Sequence, residues 1–195
     1  MNYPLDLSFK LMALANQISV TDAQGNLIFY VKQKMFKLKE AVTVFADKEQ
    51  TRPLFKINAD RVIDIAARYH ITDVNGAALG SVKRQGMRSI WKARYDICDA
   101  ADTPVLNISE ENPWVKVIDA LVGEVPIVGM FTGFVFNPSY VVKRPDESIV
   151  MRFKKQPAMF ESKFRLESLI PLSPEEEPRA VLSVLMMVLL ERRRG

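Results

Sequence analysis

Two side chains in this sequence, His70 and Cys98, could support proton transfer or nucleophilic attack, because imidazole and thiolate groups act near neutral pH. His70 is the sole histidine, and the sequence lacks a nucleophile motif such as G-x-S-x-G that would complete a histidine triad. Asp96 and Asp99 lie close to Cys98 in sequence, and nearby carboxylates raise a thiol pKa. We therefore predict no catalytic residue: His70 is interpreted as a solvated or hydrogen-bonded strand residue, and Cys98 as a packed or edge thiol.

The aspartates at positions 22, 47, 73 and 99 could in principle bind a metal ion through their carboxylates. Each of them, however, begins a separate cluster of turn-forming residues, where an aspartate side chain accepts hydrogen bonds from nearby backbone. The nucleotide-binding loops G-x-G-x-x-G and G-x-x-x-x-G-K-[ST] are absent, and one cysteine allows neither a disulfide framework nor a cysteine zinc site within the chain. The sequence predicts no metal site and no cofactor.

Lysine and arginine concentrate in three groups. The first group is Lys32, Lys34, Lys37 and Lys39. The second group is Lys83, Arg84, Arg88, Lys92 and Arg94. The third group is Lys143, Arg144, Arg152, Lys154 and Lys155. If the second and third groups converge in space, they form a candidate surface for an anionic ligand, made of Lys83, Arg84, Arg88, Lys92, Arg94, Lys143, Arg144, Arg152 and Lys154.

Three interpretations of these basic groups remain open. They are ordinary solvated outer faces of strands, a site for anionic headgroups, or a nucleic-acid surface. Nucleic acid is disfavoured because paired aromatic stacking platforms are not evident and because the formal charge is only +4. The order of strands in the sheet decides whether the groups converge, and the sequence alone does not give that order.

A repeated hairpin pattern must position these residues. Turn clusters begin at Asp22, Asp47, Asp73 and Asp99, at steps of 25, 26 and 26 residues, and a further cluster, 144–147, includes Asp146. Two hairpins have similar sequences, ISVTDAQGN at 18–26 and YHITDVNGA at 69–77. Such a period is typical of arrays, propellers and solenoids. A closed barrel of hairpins fits it as well and leaves no exposed sheet edge.

The alternation of apolar and polar residues within each strand predicts that one side of the strand faces the core and the other faces water. In 88–97, the apolar side is Trp91, Ala93, Tyr95 and Ile97, and the basic side is Arg88, Lys92 and Arg94. In 160–167, Phe160, Phe164 and Leu166 share the core side with Ser162, and the water side is Glu161, Lys163, Arg165 and Glu167.

The C-terminal segment predicts a buried helix over about 178–192. The run Ala180–Leu190 has one polar residue, Ser183, in eleven. Eleven apolar residues are too few to span a bilayer, which takes about 20. A helix that is apolar on all sides is expected to be buried around its whole circumference. The sequence therefore predicts a mainly β (α+β) fold, a closed β-barrel built from hairpin repeats around a central hydrophobic C-terminal helix.

Two segments interrupt the hairpin pattern. Asn112 and Pro113 resemble a helix start, and they predict a short inserted helix at about 113–122. The apolar run 125–136 follows it and contains Gly129 and Gly133. The later part of this run is interpreted as a buried strand with glycine bends. If one side of the run is exposed, it becomes a surface for a protein partner, a dimer or a membrane.

Four stretches of the sequence resemble the LURP-one-related family: FKLMALANQISVTDAQGN, YVKQKMFKLKEAVTVFAD, GMFTGFVFNPSY and the apolar C-terminal helix. That family belongs to the group with a tubby C-terminal-like fold, which includes the phospholipid scramblases. The resemblance covers about residues 9–192 and implies a barrel of about twelve strands closed around the C-terminal helix. For function it implies phosphoinositide binding or lipid movement in general terms, and it transfers no lipid-binding residue.

The sequence departs from the scramblases in two respects. It has neither their proline-rich N-terminal tail nor their cysteine cluster, so we expect neither lipid scrambling nor calcium activation. The N-terminal residues lack the basic start and long apolar stretch of a signal peptide. With 195 residues, 48% of them apolar, the chain predicts a single domain over 1–195 without a transmembrane segment, in the cytoplasm or peripherally at a membrane.

These observations lead to three functional hypotheses. The first is a non-enzymatic binding module that docks on acidic phospholipid headgroups or a membrane surface through basic outer strand faces. The second is a protein-interaction or scaffold domain that uses the apolar run 125–136. An enzyme acting on a small ligand inside the barrel ranks last, because the helix is expected to fill the interior.

Overall fold

The computed structural model describes residues 1–12, 15–34, 41–61, 67–85, 94–111, 139–157 and 162–192. The predicted inserted helix at 113–122 and the apolar run 125–136 lie outside these residues, as do Trp91, Arg88 and Lys92. The protein-partner hypothesis that depends on the apolar run therefore stays a prediction.

Within the described residues the chain forms twelve strands followed by one helix. The strands are β1 (Leu5–Met12), β2 (Ala15–Thr21), β3 (Leu27–Lys34), β4 (Val42–Phe45), β5 (Pro53–Ala59), β6 (Arg68–Asp73), β7 (Ala78–Arg84), β8 (Arg94–Cys98), β9 (Pro104–Glu110), β10 (Ser139–Lys143), β11 (Ile149–Gln156) and β12 (Ser162–Ser168). The helix, α1, spans Glu176–Arg192.

The twelve strands form a closed antiparallel barrel in which consecutive strands are neighbours. The first and last strands complete the ring, with Leu5 opposite Leu166 and Phe9 opposite Ser162. Closure gives each of the twelve described strands a neighbour on both sides. The predicted fold, a closed barrel of hairpins around the C-terminal helix, is confirmed.

Five hairpins share one turn geometry. Each ends in a register shift, and the fourth residue of each turn has a positive φ: 82° at Gly25, 62° at Gln50, 87° at Gly76, 66° at Asp102 and 66° at Glu147. This combination is a three-residue hairpin loop with a G1-type bulge. In the fifth hairpin, Arg144 occupies the position that Asp22 occupies in the first hairpin, and Asp146 lies two residues later.

The aspartates that begin the turns have the structural role predicted for them. The Asp73 Oδ1 atom accepts hydrogen bonds from the backbone N–H groups of Asn75 and Ala77, both at 2.8 Å. Asp99 does the same with Ala101 and Thr103, both at 2.9 Å. Within the described residues, no group of three or more histidine, cysteine, aspartate or glutamate side chains is placed to hold a metal ion.

The core lies between α1 and the inward sides of the strands. From Ala180 to Leu189 the helix is at most 5% exposed on every side, so it fills the barrel as predicted. Every strand contributes at least one side chain that is no more than 1% exposed: Leu7, Ile18, Val31, Val44, Ile57, Ile71, Val82, Ile97, Ile108, Val142, Phe153 and Leu166. None of the helices in the described part of the chain combines the length and apolar character that a membrane crossing needs.

The helix begins at Glu176, two residues earlier than predicted, so Glu176 and Glu177 lie in its first turn and do not precede it. The Ser173 Oγ atom accepts a hydrogen bond from the Glu176 N–H at 3.2 Å, and Glu176 Oε2 accepts one from the Ser173 N–H at 3.1 Å. This reciprocal pair is a capping box, which satisfies backbone donors at a helix start. Its sequence signature, serine followed three residues later by glutamate, could have given the correct start.

Candidate functional site

The two ends of the barrel differ chemically. We call the end that carries the five tight turns and the start of α1 the turn end, and the opposite end, where α1 finishes, the far end. The turn end consists of residues 22–26, 47–51, 73–77, 99–103, 144–148 and 169–177, which contain eleven carboxylate side chains and two cationic ones. The chain as a whole has 27 lysines and arginines and 23 acids, so all other positions together hold 25 cations and 12 carboxylates.

Hydrogen bonds keep many of the turn-end carboxylates ionised. The pKa of Asp47 is held below its usual value, mainly because the Thr51 backbone N–H donates to the carboxylate. The Ser148 side chain and backbone lower the pKa of Asp146 in the same way. These groups therefore remain negatively charged at neutral pH.

Of the nine cations predicted to form an anionic-ligand surface, the structure places Arg84 inside the barrel. Its side chain is 13% exposed, and its Nε atom lies 3.5 Å from Oε1 of Glu191 near the end of α1. The Tyr95 hydroxyl, on the neighbouring strand, donates a hydrogen bond to the same Glu191 oxygen. Arg84 and Tyr95 thus hold the C-terminal turn of the helix, and Arg84 does not share an outer face with the other basic residues.

Four more of the predicted cations lie on the outside and are paired with acids of the same chain. The nitrogen–oxygen distances are 2.8 Å for Lys143–Glu147, 2.9 Å for Arg144–Glu176, 2.7 Å for Arg152–Glu111 and 3.9 Å for Lys154–Glu167. Each acid offsets the charge of its cation, and these residues add little to the attraction of an anionic ligand. Two further members of the predicted set, Arg88 and Lys92, lie outside the described residues.

Lys83 and Arg94 are the members of the predicted set that make no ion pair within 4.0 Å to a described acid. Lys83 is half-buried near the end of β7, and Arg94 is exposed at the start of β8. Both positions are at the far end of the barrel, and they flank the connection that contains Arg88 and Lys92.

Lys32, Lys155 and Lys163 lie near the same end of other strands, and Lys155 shares the inward side of β11 with Met151 and Phe153. All three are exposed, and none forms an ion pair with a described acid. Each lies within two residues of the far end of its strand, in β3, β11 and β12. We define the basic rim as Lys32, Lys83, Arg94, Lys155 and Lys163.

The sequence analysis placed some of the rim residues in its basic groups, but it did not identify these five residues as one set. Lys32 and Lys155 belonged to two separate basic groups, and Lys163 belonged to none. Alternation placed Lys163 on the water side of its strand, which is confirmed. Barrel closure then sets Lys163 opposite Ser8 of β1, 155 positions earlier in the chain.

Comparison with known proteins identifies no family. No family model matches the sequence, and no curated protein is significantly similar to it. The chain is similar to the X-ray structure of a protein from Arabidopsis thaliana, with 16% sequence identity and a TM-score of 0.49 over 95% of this chain and 91% of that one. A likeness of this degree assigns no function.

The two residues that could have supported catalysis, His70 on β6 and Cys98 on β8, both lie opposite Ser81 of the intervening strand β7. His70 is exposed on the outer side of β6, opposite Asn58 and Ser81 in register. Cys98 is 3% exposed, and burial raises the pKa of its thiol above the usual value. Because the thiolate is the reactive form, a raised pKa disfavours nucleophilic chemistry at this position.

Proposed function

We propose that this protein is a non-enzymatic binding module that docks on acidic phospholipid through its basic rim. The observation that carries the proposal is the distribution of ion pairs. The five rim cations make no ion pair with a described acid, whereas Lys143 and Arg144 nearer the turn end are paired. Lys48 and Lys56, which are exposed outside the rim, are likewise without such a pair. Most of the exposed cations without such a pair therefore lie at the far end.

The magnitude of this attraction suits a peripheral, reversible interaction. A lysine or arginine near an acidic membrane surface contributes about 1 kcal/mol. Five such residues give at most about 5 kcal/mol, which corresponds to a dissociation constant between about 1 mM and 0.1 mM. Binding of this kind weakens steeply with salt, because exposed charges are screened within about 10 Å at 0.1 M ionic strength.

Two further considerations support an outer binding surface. The side chains of Ala180–Leu189 occupy the interior of the barrel, so the described residues favour a ligand on the outside. The sequence also resembles the LURP-one-related family, whose fold group includes proteins that bind or move lipids. On this proposal the protein resides in the cytoplasm and associates with a membrane peripherally.

Vesicle co-sedimentation tests the proposal. The probe is vesicles of equal parts phosphatidylserine and phosphatidylcholine, compared with phosphatidylcholine alone, over a range of salt. The rim variant Lys32→Gln/Lys155→Gln/Lys163→Gln removes three charges and is expected to weaken binding about 100-fold, at about 1 kcal/mol for each residue.

The matched control is Lys48→Gln/Lys143→Gln/Lys154→Gln, which removes the same number of charges outside the rim. We expect this control to weaken binding less than the rim variant does, because the three lysines lie outside the rim, although removal of Lys143 or Lys154 leaves Glu147 or Glu167 without its partner. Equal losses in the two triple variants would show that net charge matters and the rim does not. Failure of the wild-type protein to bind acidic vesicles at low salt would reject the proposal.

A further inference from the structure

We propose that the Arg68–Asp102 ion pair is a lid on the outer wall of the barrel, and that Cys98 beneath it is a modification site for small disulfides, shielded while the lid is closed. Side chains alternate along β8, and Ile97 points into the core, so the neighbouring Cys98 faces the outer side. Cys98 is nevertheless only 3% exposed and does not pack into the core. An outward thiol that is buried to this degree requires a cover on the outer wall.

The ion pair supplies this cover. Arg68 lies on β6 and Asp102 in the turn between β8 and β9, so the contact between their side chains crosses the intervening strand β7. Burial raises the pKa of the Cys98 thiol, the Arg68 guanidinium opposes that rise, and the Asp102 carboxylate adds to it. Both charged groups therefore lie close to the same sulfur, on the side of the wall that faces the solvent.

The lid is weak enough to open while the barrel stays folded. The side chain of Arg68 is 25% exposed and that of Asp102 57%, and ion pairs as exposed as this contribute little to stability. Beneath the lid, Ser81 lies opposite Cys98 and is 2% exposed. The Ser81 hydroxyl has no hydrogen-bond partner of acceptable geometry among the described residues. A buried hydroxyl without a partner is unfavourable, and an open lid allows water or a bound group to reach it.

Opening of the lid changes both the access to the sulfur and its reactivity. Because burial is the main cause of the raised pKa of Cys98, exposure moves this pKa back towards its ordinary value and increases the thiolate fraction. The thiol releases its proton, and the Cys98 thiolate attacks one sulfur of the small disulfide. The S–S bond of the disulfide breaks, a new S–S bond joins Cys98 to one half, and the other half leaves as a thiolate that takes up a proton.

The rate of reaction with dithiodipyridine, an uncharged aromatic disulfide, tests the lid in the folded protein. Cys98 is the sole cysteine of the chain, so the pyridinethione that is released reports on this site alone. The wild type should react much more slowly when folded than when unfolded in urea, and equal rates would overturn the proposal. Arg68→Gln and Asp102→Asn should each accelerate the reaction of the folded protein about threefold to fivefold, which is the range that loss of an exposed ion pair allows.

The two variants separate opening of the lid from a change in electrostatics. Without any opening, loss of the Arg68 charge raises the pKa of the thiol and slows the reaction, whereas loss of the Asp102 charge lowers this pKa and speeds it. Acceleration in Arg68→Gln therefore supports the lid, and a slower reaction in Arg68→Gln overturns it. The double variant Arg68→Gln/Asp102→Asn should react no faster than the faster single variant, because both substitutions remove the same contact.

Arg165→Gln is the matched control. It removes one partner of a similarly exposed ion pair, Arg165–Asp6, which joins β12 to β1 on another part of the wall. We expect the reaction at Cys98 to change less than twofold, since distant and independent sites rarely couple. Acceleration equal to that of Arg68→Gln would show that the reagent reaches Cys98 through general loss of stability, and it would overturn the proposal.

Salt provides a check on the wild type that needs no substitution in the lid. About 1 M sodium chloride screens exposed charges over a few ångströms and should accelerate the reaction of the wild type. The double variant has no ion pair left to screen, so its rate should not change. An equal effect of salt on both proteins would contradict an electrostatic lid.

Discussion

Arg144 and Glu176 form a two-point ion pair that ties the β10–β11 turn to the first turn of the central helix. The Nη1–Oε1 distance is 2.9 Å and the Nη2–Oε2 distance is 3.3 Å. Arg144 occupies the position that an aspartate fills in the other four tight turns. A residue predicted to attract an external anion thus binds a carboxylate of its own chain, and it does so where the helix enters the barrel.

The Arg144–Glu176 pair predicts that a substitution at Arg144 lowers stability without affecting vesicle binding. Arg144→Gln should lower the free energy of unfolding by about 0.5–1 kcal/mol, since both partners are partly exposed. It should leave vesicle binding unchanged, because Arg144 is not in the basic rim. Urea denaturation and co-sedimentation of the same preparation check both statements. A variant of wild-type stability that binds vesicles much more weakly would return Arg144 to the docking surface.

The same pair predicts how stability depends on acid. The hydrogen bond from Arg144 is the main reason that the pKa of Glu176 lies below its ordinary value of 4.5. Because the folded-state pKa is depressed, the stabilisation is complete above about pH 4.5 and is lost as the pH falls through the folded-state value. The stability difference between wild type and Arg144→Gln should therefore shrink below pH 4.5. A difference that stays constant down to pH 3 would contradict this assignment.

Gly80 should be among the positions least tolerant of substitution. Its φ is +143°, and a Cβ atom there would overlap with the carbonyl oxygen of Cys98 and approach Nε of Arg179 to 3.0 Å. That nitrogen already donates a 2.5 Å hydrogen bond to the carbonyl of Leu79. Gly80→Ala should cost about 3–5 kcal/mol in the free energy of unfolding, combining backbone strain with overpacking.

The matched control for Gly80 is Gly25→Ala in the first tight turn. Gly25 also has a positive φ, 82°, but a Cβ atom there would meet nothing within 4 Å. The control should therefore lose only about 1–2 kcal/mol, the cost of a left-handed conformation. Similar losses in the two variants, measured by urea denaturation, would mean that the close approach to Cys98 has no energetic consequence.

Substitution of Ser183 is expected to raise stability. It lies in the middle of α1, is fully buried, and its hydroxyl has no hydrogen-bond partner among the described residues. An unsatisfied buried hydroxyl costs about 1–3 kcal/mol, and alanine is the strongest helix former. Ser183→Ala should therefore raise the free energy of unfolding by about 1 kcal/mol. A marked loss of stability would reveal a partner for the hydroxyl.

The neighbouring core position Leu185 provides the contrast. Leu185 is also fully buried, so Leu185→Ala should lower stability by about 2–5 kcal/mol through the cavity it leaves. Thermal unfolding of the two variants in parallel separates the cost of a cavity from the cost of a buried polar atom.

Tyr95 predicts the behaviour of the protein in alkali. Burial, aided by the hydrogen bond to Glu191, raises the pKa of Tyr95 far above its ordinary value of 10. Burial likewise raises the pKa of Tyr140, to about 12. Because the folded-state pKa values are raised, the associated stability is full below pH 10 and is lost as the pH rises towards them.

The test is the pH dependence of unfolding in wild type and Tyr95→Phe. The variant should be about 1 kcal/mol less stable at pH 7, since the bond to Glu191 is lost. Its stability should fall less steeply than that of the wild type above pH 10, because one buried phenol is absent. An identical alkaline slope in both proteins would show that Tyr95 ionises as readily when folded as when unfolded.

The sequence by itself determined the elements of this protein. Alternation is a local property of a strand, and it correctly separated Tyr95 and Ile97 from Arg94. Turn formation depends on nearby backbone, so Asp22 and Asp73 marked their hairpins. The eleven-residue apolar run required a buried helix, and the hairpin repeat around it favoured a closed barrel. Among the described elements, the start of the helix was misplaced, because the Ser173–Glu176 signature was overlooked.

The tertiary structure alone decided which charged side chains form ion pairs with one another. Arg165 and Asp6 are 159 positions apart, and Arg152 and Glu111 are 41 apart, so no local pattern pairs them. Their contact depends on the strand order and register that barrel closure imposes. The sequence gives the sign of each charged side chain but not its ion-pair partner. Charges offset one another only over a few ångströms, and the folded barrel decides which side chains come that close.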